Sequence, residues 1–132
     1  MELDALLGLI GLARRAGKLA VGEALTAELV AEGRARAIFL AEDAGSATRR
    51  KVMRHDSRVP VFTVPCTKER LGKAVGFAGC AVCAMRDIGM AQAAARKLDG
   101  TTPENTAAAA RICEKKARID SRKGMKKGKK PE

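Results

Sequence analysis

Three short apolar runs constrain this sequence more than anything else in it: Ala37-Ile38-Phe39-Leu40-Ala41, Val59-Pro60-Val61-Phe62-Thr63-Val64 and Cys80-Ala81-Val82-Cys83-Ala84-Met85. Each is too short for a buried helix and lacks the alternation of a strand with one wet face. Each therefore reads as a strand covered on both sides. The segments between them have helical spacing. Leu3, Leu6, Leu7, Ile10 and Ala13 predict a helix over 3–16, closed by Arg14, Arg15 and Gly17. Lys18–Val21 is a short extended segment, after which Gly22 opens a helix with Leu25, Leu29 and Val30 inward and Gly33 as its stop. Further helices are predicted over 47–56, from a Thr67 cap to Ala74, and over Gly89–Leu98. Helices and strands alternate throughout, which is the pattern of a three-layer α/β sandwich.

The rhythm breaks at Asp99-Gly100-Thr101-Thr102-Pro103. The expected organisation is a domain over 1–98, a linker with an Ala-rich helix over 99–120, and a disordered basic tail over 121–132. Ile112 and Ile119 make too small a face for strong packing, so Glu104–Ile119 is expected to be lone or weakly docked. Formal net charge is +11 over 132 residues. Residues 111–132 hold ten Lys or Arg against three acids, so the C-terminal segment is a separate electrostatic device. Such a balance favours polyanions. There is no Trp or Tyr and there are only three Phe, which excludes RNA readers that stack bases on aromatic platforms. No run approaches the roughly 20 apolar residues of a membrane span, and the basic residues near the N-terminus follow the apolar run instead of preceding it. A cytoplasmic protein with no membrane partner, and with reduced thiols at its four Cys, is expected.

The polar motifs each carry a bland and a sharp reading. Glu42-Asp43 ends a strand: either Asp43 or Ser46 bonds loop backbone and caps the next helix, or the pair contacts a ligand. Arg49, Arg50, Lys51 and Arg54 on the third helix, with Arg58 beyond it, are either a solvated face or a phosphate-binding stripe. His55 stands beside Asp56 without the nucleophile and orienting group of a triad, and reads as a surface side chain. Cys80 and Cys83 have redox or zinc spacing, but on one strand side chains three apart point to opposite faces. They read as buried reduced thiols unless Cys80 lies in a loop. Neither a metal nor a cofactor is called for. The run Lys123-Gly124-Met125-Lys126-Lys127-Gly128-Lys129-Lys130 is either a solubilising charge run or a basic extension of the kind that reaches into ribosomal RNA, which it resembles. Lys123, Lys126, Lys127, Lys129 and Lys130 are its candidate phosphate contacts.

Three segments together resemble one family: Gly17-Lys18-Leu19-Ala20-Val21-Gly22-Glu23, then Ile38-Phe39-Leu40-Ala41-Glu42-Asp43-Ala44, then Val59-Pro60-Val61 with Leu71-Gly72-Lys73-Ala74-Val75-Gly76. In this order they look like the kink-turn-binding superfamily of the ribosomal protein L-seven-Ae. Leu7-Gly8 followed by Leu12-Ala13-Arg14-Arg15-Ala16-Gly17-Lys18 is more like its bacterial YlxQ-like branch. The resemblance covers about residues 3–98. It implies an α-β-α sandwich with a mixed four-stranded sheet, here followed by a C-terminal basic extension.

It also implies an RNA-binding surface built from Gly22–Thr26, Glu42–Ala47 and Phe77–Cys80. Its candidate residues are Lys18, Gly22, Glu23, Ala24, Glu42, Asp43, Arg49, Arg50, Phe77, Ala78 and Gly79. A helix N-terminus offers unpaired N–H groups to a phosphate, and a glycine there lets backbone come close. Glu23 either accepts from a guanine edge or acts as a first-turn acid on the helix dipole. Where the strongest kink-turn readers carry Asn-Glu and then Lys, this sequence has Ala24, Leu25 and Glu28. Readout through shape and phosphates is the consequence. The expectation is a monomeric, non-enzymatic protein that binds structured RNA, either ribosomal or kink-turn, with ribosomal proteins as further partners. The alternatives are a protein-interaction module and an accessory substrate-gripping domain of an RNA-modifying system.

Overall fold

Among the described residues the alternation is realised as ten elements: α1 (Leu3–Arg15), β1 (Leu19–Val21), α2 (Glu23–Ala31), β2 (Ala37–Ala41), α3 (Ser46–Met53), β3 (Val61–Val64), α4 (Lys68–Val75), β4 (Val82–Met85), α5 (Ile88–Leu98) and α6 (Pro103–Gly128). The computed structural model describes residues 3–128. One four-stranded sheet runs in the order β1-β4-β2-β3. β2 and β3 are parallel, while β4 is antiparallel to both β1 and β2. The sheet is therefore mixed, with one layer of helices on each face.

Period-two alternation along the strands sorts the core. Phe39, Phe62, Cys83 and Met85 face a layer of α1, α4, α5 and α6, where Ile10, Leu71, Ala95 and Ile112 are among the buried partners. Ile38, Leu40, Val61 and Val82 face α2 and α3, against Leu29, Val30 and Val52. With no large aromatics, the core is built from aliphatic side chains and one stacked pair, Phe39 and Phe62, whose ring centroids lie 5.6 Å apart. Thr67 caps α4 as expected, its Oγ1 accepting from the Arg70 N–H at 3.2 Å. Gly72 lets the segment before β4 lie against α4. A Cβ at Gly72 would fall 2.6 Å from the Gly79 Cα, so the small residue is required by close approach.

The C-terminal segment differs from expectation in two ways. The predicted boundary at Asp99–Pro103 is a short turn, and α6 packs back onto the sheet with Ala108, Ala109 and Ile112 in the main core. Asn105 explains the docking. β3 is an edge strand, and Asn105 Oδ1 accepts from the Thr63 N–H at 2.9 Å while its Nδ2 donates to the Thr63 carbonyl at 2.8 Å. A side-chain amide thus stands where another strand would pair. Thr102 Oγ1 accepts from the Asn105 N–H at 2.9 Å and fixes the helix start.

The second difference concerns the described part, 121–128, of the segment expected to be disordered: the helix continues to Gly128, and 129–132 lie outside the described residues. The physical reason is propagation from a docked nucleus through an Ala run, supported by Glu114–Arg118 and Lys116–Asp120 pairs at i, i+4. Among the described residues no helix is long and apolar enough to cross a membrane.

Candidate nucleic-acid interface

Strand polarity decides which loops meet. β1, β2 and β3 all run opposite to β4, directly or through β2. The segments leaving the first three strands and the segment entering β4 must therefore share one end of the sheet. Backbone bonds stitch that end together. The Gly22 N–H donates to the Val82 carbonyl at 2.9 Å, and the Ala41 N–H to the Ala81 carbonyl at 2.8 Å. The Glu42 N–H reaches the Cys66 carbonyl at 3.1 Å, and the Cys80 N–H reaches the Lys68 carbonyl at 2.9 Å. Asp43 Oδ1 accepts from the Lys68 N–H at 2.8 Å. Asp43 does bond loop backbone, but at the start of α4. The residue before α3 is Gly45, which brings no side-chain cap.

At this end α2 begins with an open N-terminus. Gly22 has φ 99 and ψ 163, a conformation favouring glycine, and α2 has no side-chain cap bond. Nothing lies within 4 Å of the position a Gly22 Cβ would take. Glu23, Ala24 and Leu25 come next and are all exposed, Leu25 by 52%. The Glu23 carboxylate is turned to α3: Thr48 Oγ1 donates to it at 3.0 Å and Lys51 Nζ lies 3.9 Å away. Glu23 therefore ties two helices together. Arg49 turns inward, its guanidinium donating to the Glu42 carbonyl at 3.4 Å and to Thr63 Oγ1 at 3.5 Å. Arg50 is exposed beside it. On the third helix Thr48 and Arg49 are half-buried and bond within the protein, while Arg50 and Lys51, the latter 3.9 Å from Glu23, are exposed cations.

Lys18 and the segment Phe77, Ala78 and Gly79 lie elsewhere. Lys18 sits at the opposite end of β1, where its carbonyl accepts from the Arg86 N–H at 2.9 Å. An extended strand carries residues four apart about 13 Å from one another, so Lys18 is not beside Gly22. Phe77 follows the α4 C-cap and lies under Arg14, whose Cζ is 5.3 Å from the ring centroid. α4 separates it from Lys68 by about 12 Å. Ala78 is exposed, and Gly79 climbs back along Gly72, so only the Cys80 end of this loop joins the edge. Lys123 is exposed on α6; Lys126 and Lys127 fall in its last turns, and Lys129 and Lys130 lie outside the described residues.

Thr48 and Lys68 belong to the edge and were missed by sequence reading, whereas Lys51 falls in the cation stripe read on the third helix. The signal available was the general rule that residues after parallel strands gather at one end. The thiols also differ from expectation: Cys80 lies in the loop before β4, not within it. It donates to the Val82 carbonyl at 3.3 Å and is hydrogen-bonded to Cys83. That bond lowers the Cys80 pKa and, with burial, holds the Cys83 thiol well above its ordinary value. Burial pushes Cys66 up as well. All four cysteines are free thiols. Among the described residues no group of three or more His, Cys, Asp or Glu could hold a metal ion.

Residues 4–95 match the ribosomal protein L7Ae/L30e/S12e/Gadd45 family. RNA-binding protein YlxQ of Bacillus subtilis (strain 168) is 35% identical over 95 residues, covering 69% of this chain and 92% of its own. RNA-binding protein YlxQ of Enterococcus faecium is 43% identical over 60 residues, a match spanning 46% of this chain and 55% of that protein. A solved structure of a protein of unknown function from Bacillus halodurans C superposes with a TM-score of 0.66 at 31% identity, covering 71% of this chain and 96% of that one.

Proposed function

The chain belongs to the ribosomal protein L7Ae/L30e/S12e/Gadd45 family, and from that premise we propose that it is a structured-RNA-binding protein and not an enzyme. Two relatives named as RNA-binding protein YlxQ support the ligand class. The observation that carries the reading is the open glycine turn before an uncapped α2, set at the edge where the loops after β1, β2 and β3 converge. Gly22 lets an RNA backbone approach, and the first-turn amides of α2 face a phosphate with the positive end of the helix. Arg50 adds a cation. Ala24 and Leu25 offer apolar contact to a sugar or extruded base and no hydrogen bond to a guanine edge. Recognition therefore runs through the shape and phosphates of a kinked duplex, of kink-turn or ribosomal type.

Charge reversal tests this. Arg50→Glu is expected to weaken binding of a bulged RNA hairpin about tenfold, or ~1.4 kcal/mol, and to flatten the salt dependence by about 0.9 on log axes. Lys18→Glu, at the far end of β1, should leave the preference for bulged over plain duplex unchanged. Fluorescence anisotropy on both RNAs reads the difference. Equal losses from the two variants would remove the assignment of the Gly22 edge.

A further inference from the structure

The opposite end of the sheet holds a second feature. A cavity of about 440 Å³ opens between the end of α2, the segments leading into β2 and β3, and the flank of α6. Its lining carries five cations, Arg36, Arg58, Arg111, Lys115 and Arg118, against one carboxylate, Glu114. Glu114 is engaged by Arg118 at 3.2 Å, and Arg111 is held by the Asp56 carboxylate and carbonyl at 3.2 and 2.7 Å. Among the described lining residues, Arg36, Arg58 and Lys115 are thus left with no carboxylate of the cavity's own. Like charges gathered around one hollow repel each other, and an anion placed there relieves the repulsion.

The shape of the charge identifies the anion. Arg111, Lys115, Arg118 and Arg122 fall at i, i+4, i+7 and i+11, on one face of α6, and the first three border the cavity. This row is about 16 Å long at 1.5 Å per residue. It matches a ligand that repeats its negative charge along a backbone better than a single small ion. Ala31, exposed, and Ala35, half-buried, give the cavity apolar surface that a ribose or base face can meet.

We propose that this cavity and the α6 row form a second RNA surface that takes a phosphodiester backbone. It lies across the length of β2, about 17 Å, from the Gly22 edge. The proposal rests on the RNA-binding reading above and adds to it a separate contact, so that one chain grips folded RNA at both ends of its sheet.

The test uses the full chain with two probes, a bulged RNA hairpin and an uninterrupted RNA duplex, titrated with salt. The pair Arg36→Glu with Arg58→Glu is expected to lower affinity for both probes at least tenfold. It should also flatten the slope of log affinity against log salt by about 1.8, or 0.9 for each phosphate no longer neutralised. Arg50→Glu should instead act on the bulged hairpin. If the pair leaves both affinities and the slope as in wild type while Arg50→Glu still weakens the hairpin, the cavity assignment is overturned and the Gly22 edge stands. If the pair lowers both affinities while Arg50→Glu has no effect, the cavity stands and the edge does not. A wild-type chain that binds neither probe overturns both. Should the double variant not fold by circular dichroism, Lys115→Glu alone reads the same question, with an expected slope change of about 0.9.

Discussion

Glu23 and Arg49 show how much a residue's partners alter its meaning. Both sit where an RNA contact is expected, yet Glu23 is met by Thr48 and Lys51 and Arg49 bends to Glu42 and Thr63. Their charges hold α3 against the edge, leaving Arg50 and the backbone of α2 to meet a ligand. The same scale governs the thiols. Cys66 and Cys83 are buried with pKa values raised in the folded state, so the fold prefers them protonated. In the unfolded chain a thiol ionises near pH ~8.5. Stability from these groups is therefore complete below that pH and falls as pH rises above it, by about 1.4 kcal/mol per pH unit for each thiol that stays protonated only when folded. Urea unfolding between neutral and moderately alkaline pH should show this decline, and Cys83→Ala should flatten it. A variant as pH-sensitive as wild type would remove the assignment.

At the level of elements, the helices and buried strands are legible in the sequence because hydrophobic period and run length are local properties. The mutual placement of their ends is not. Lys18 and Gly22 are near in sequence, but the extended segment between them carries them to opposite ends of the sheet, a separation that nearness in sequence hides. In the same way Phe77 and Cys80 share a short segment that climbs α4, so one end of it lies away from the edge. The docking of α6 is illegible for a different reason, since it depends on one polar residue. Nothing in an apolar count marks Asn105, whose amide closes the Thr63 edge. Asn105→Ala leaves the half-buried Thr63 N–H and C=O without those partners and should cost about 1–3 kcal/mol. Thermal or urea unfolding measures this; a loss under a few tenths of a kcal/mol would mean that water replaces the amide at no cost.

For the whole molecule, α6 changes what the family domain is. The family match ends at residue 95, and the solved relative covers 71% of this chain, so the shared unit stops about where α6 begins. Yet Ala108, Ala109 and Ile112 are buried in the same core as α1, α4 and α5, and the β3 edge is closed from α6. In this chain the addition is both a cover and a carrier of positive charge, and the two roles separate by truncation. A fragment ending at residue 98 retains every strand but loses one large buried side chain, two small ones and the Asn105 bonds. It is expected to lose about 3–5 kcal/mol. An uncovered edge strand is a template for pairing, so the fragment should also associate as its concentration rises, by sedimentation or light scattering, where the full chain does not. Restoring residues 99–113 without the remaining basic segment should recover stability and solution behaviour while leaving RNA affinity and its salt slope reduced. A fragment ending at 98 that matches the full chain in stability and stays monomeric would mean that α6 rests on the fold without supporting it, and the cavity bordered by Arg111 and Lys115 would then lose its fixed wall.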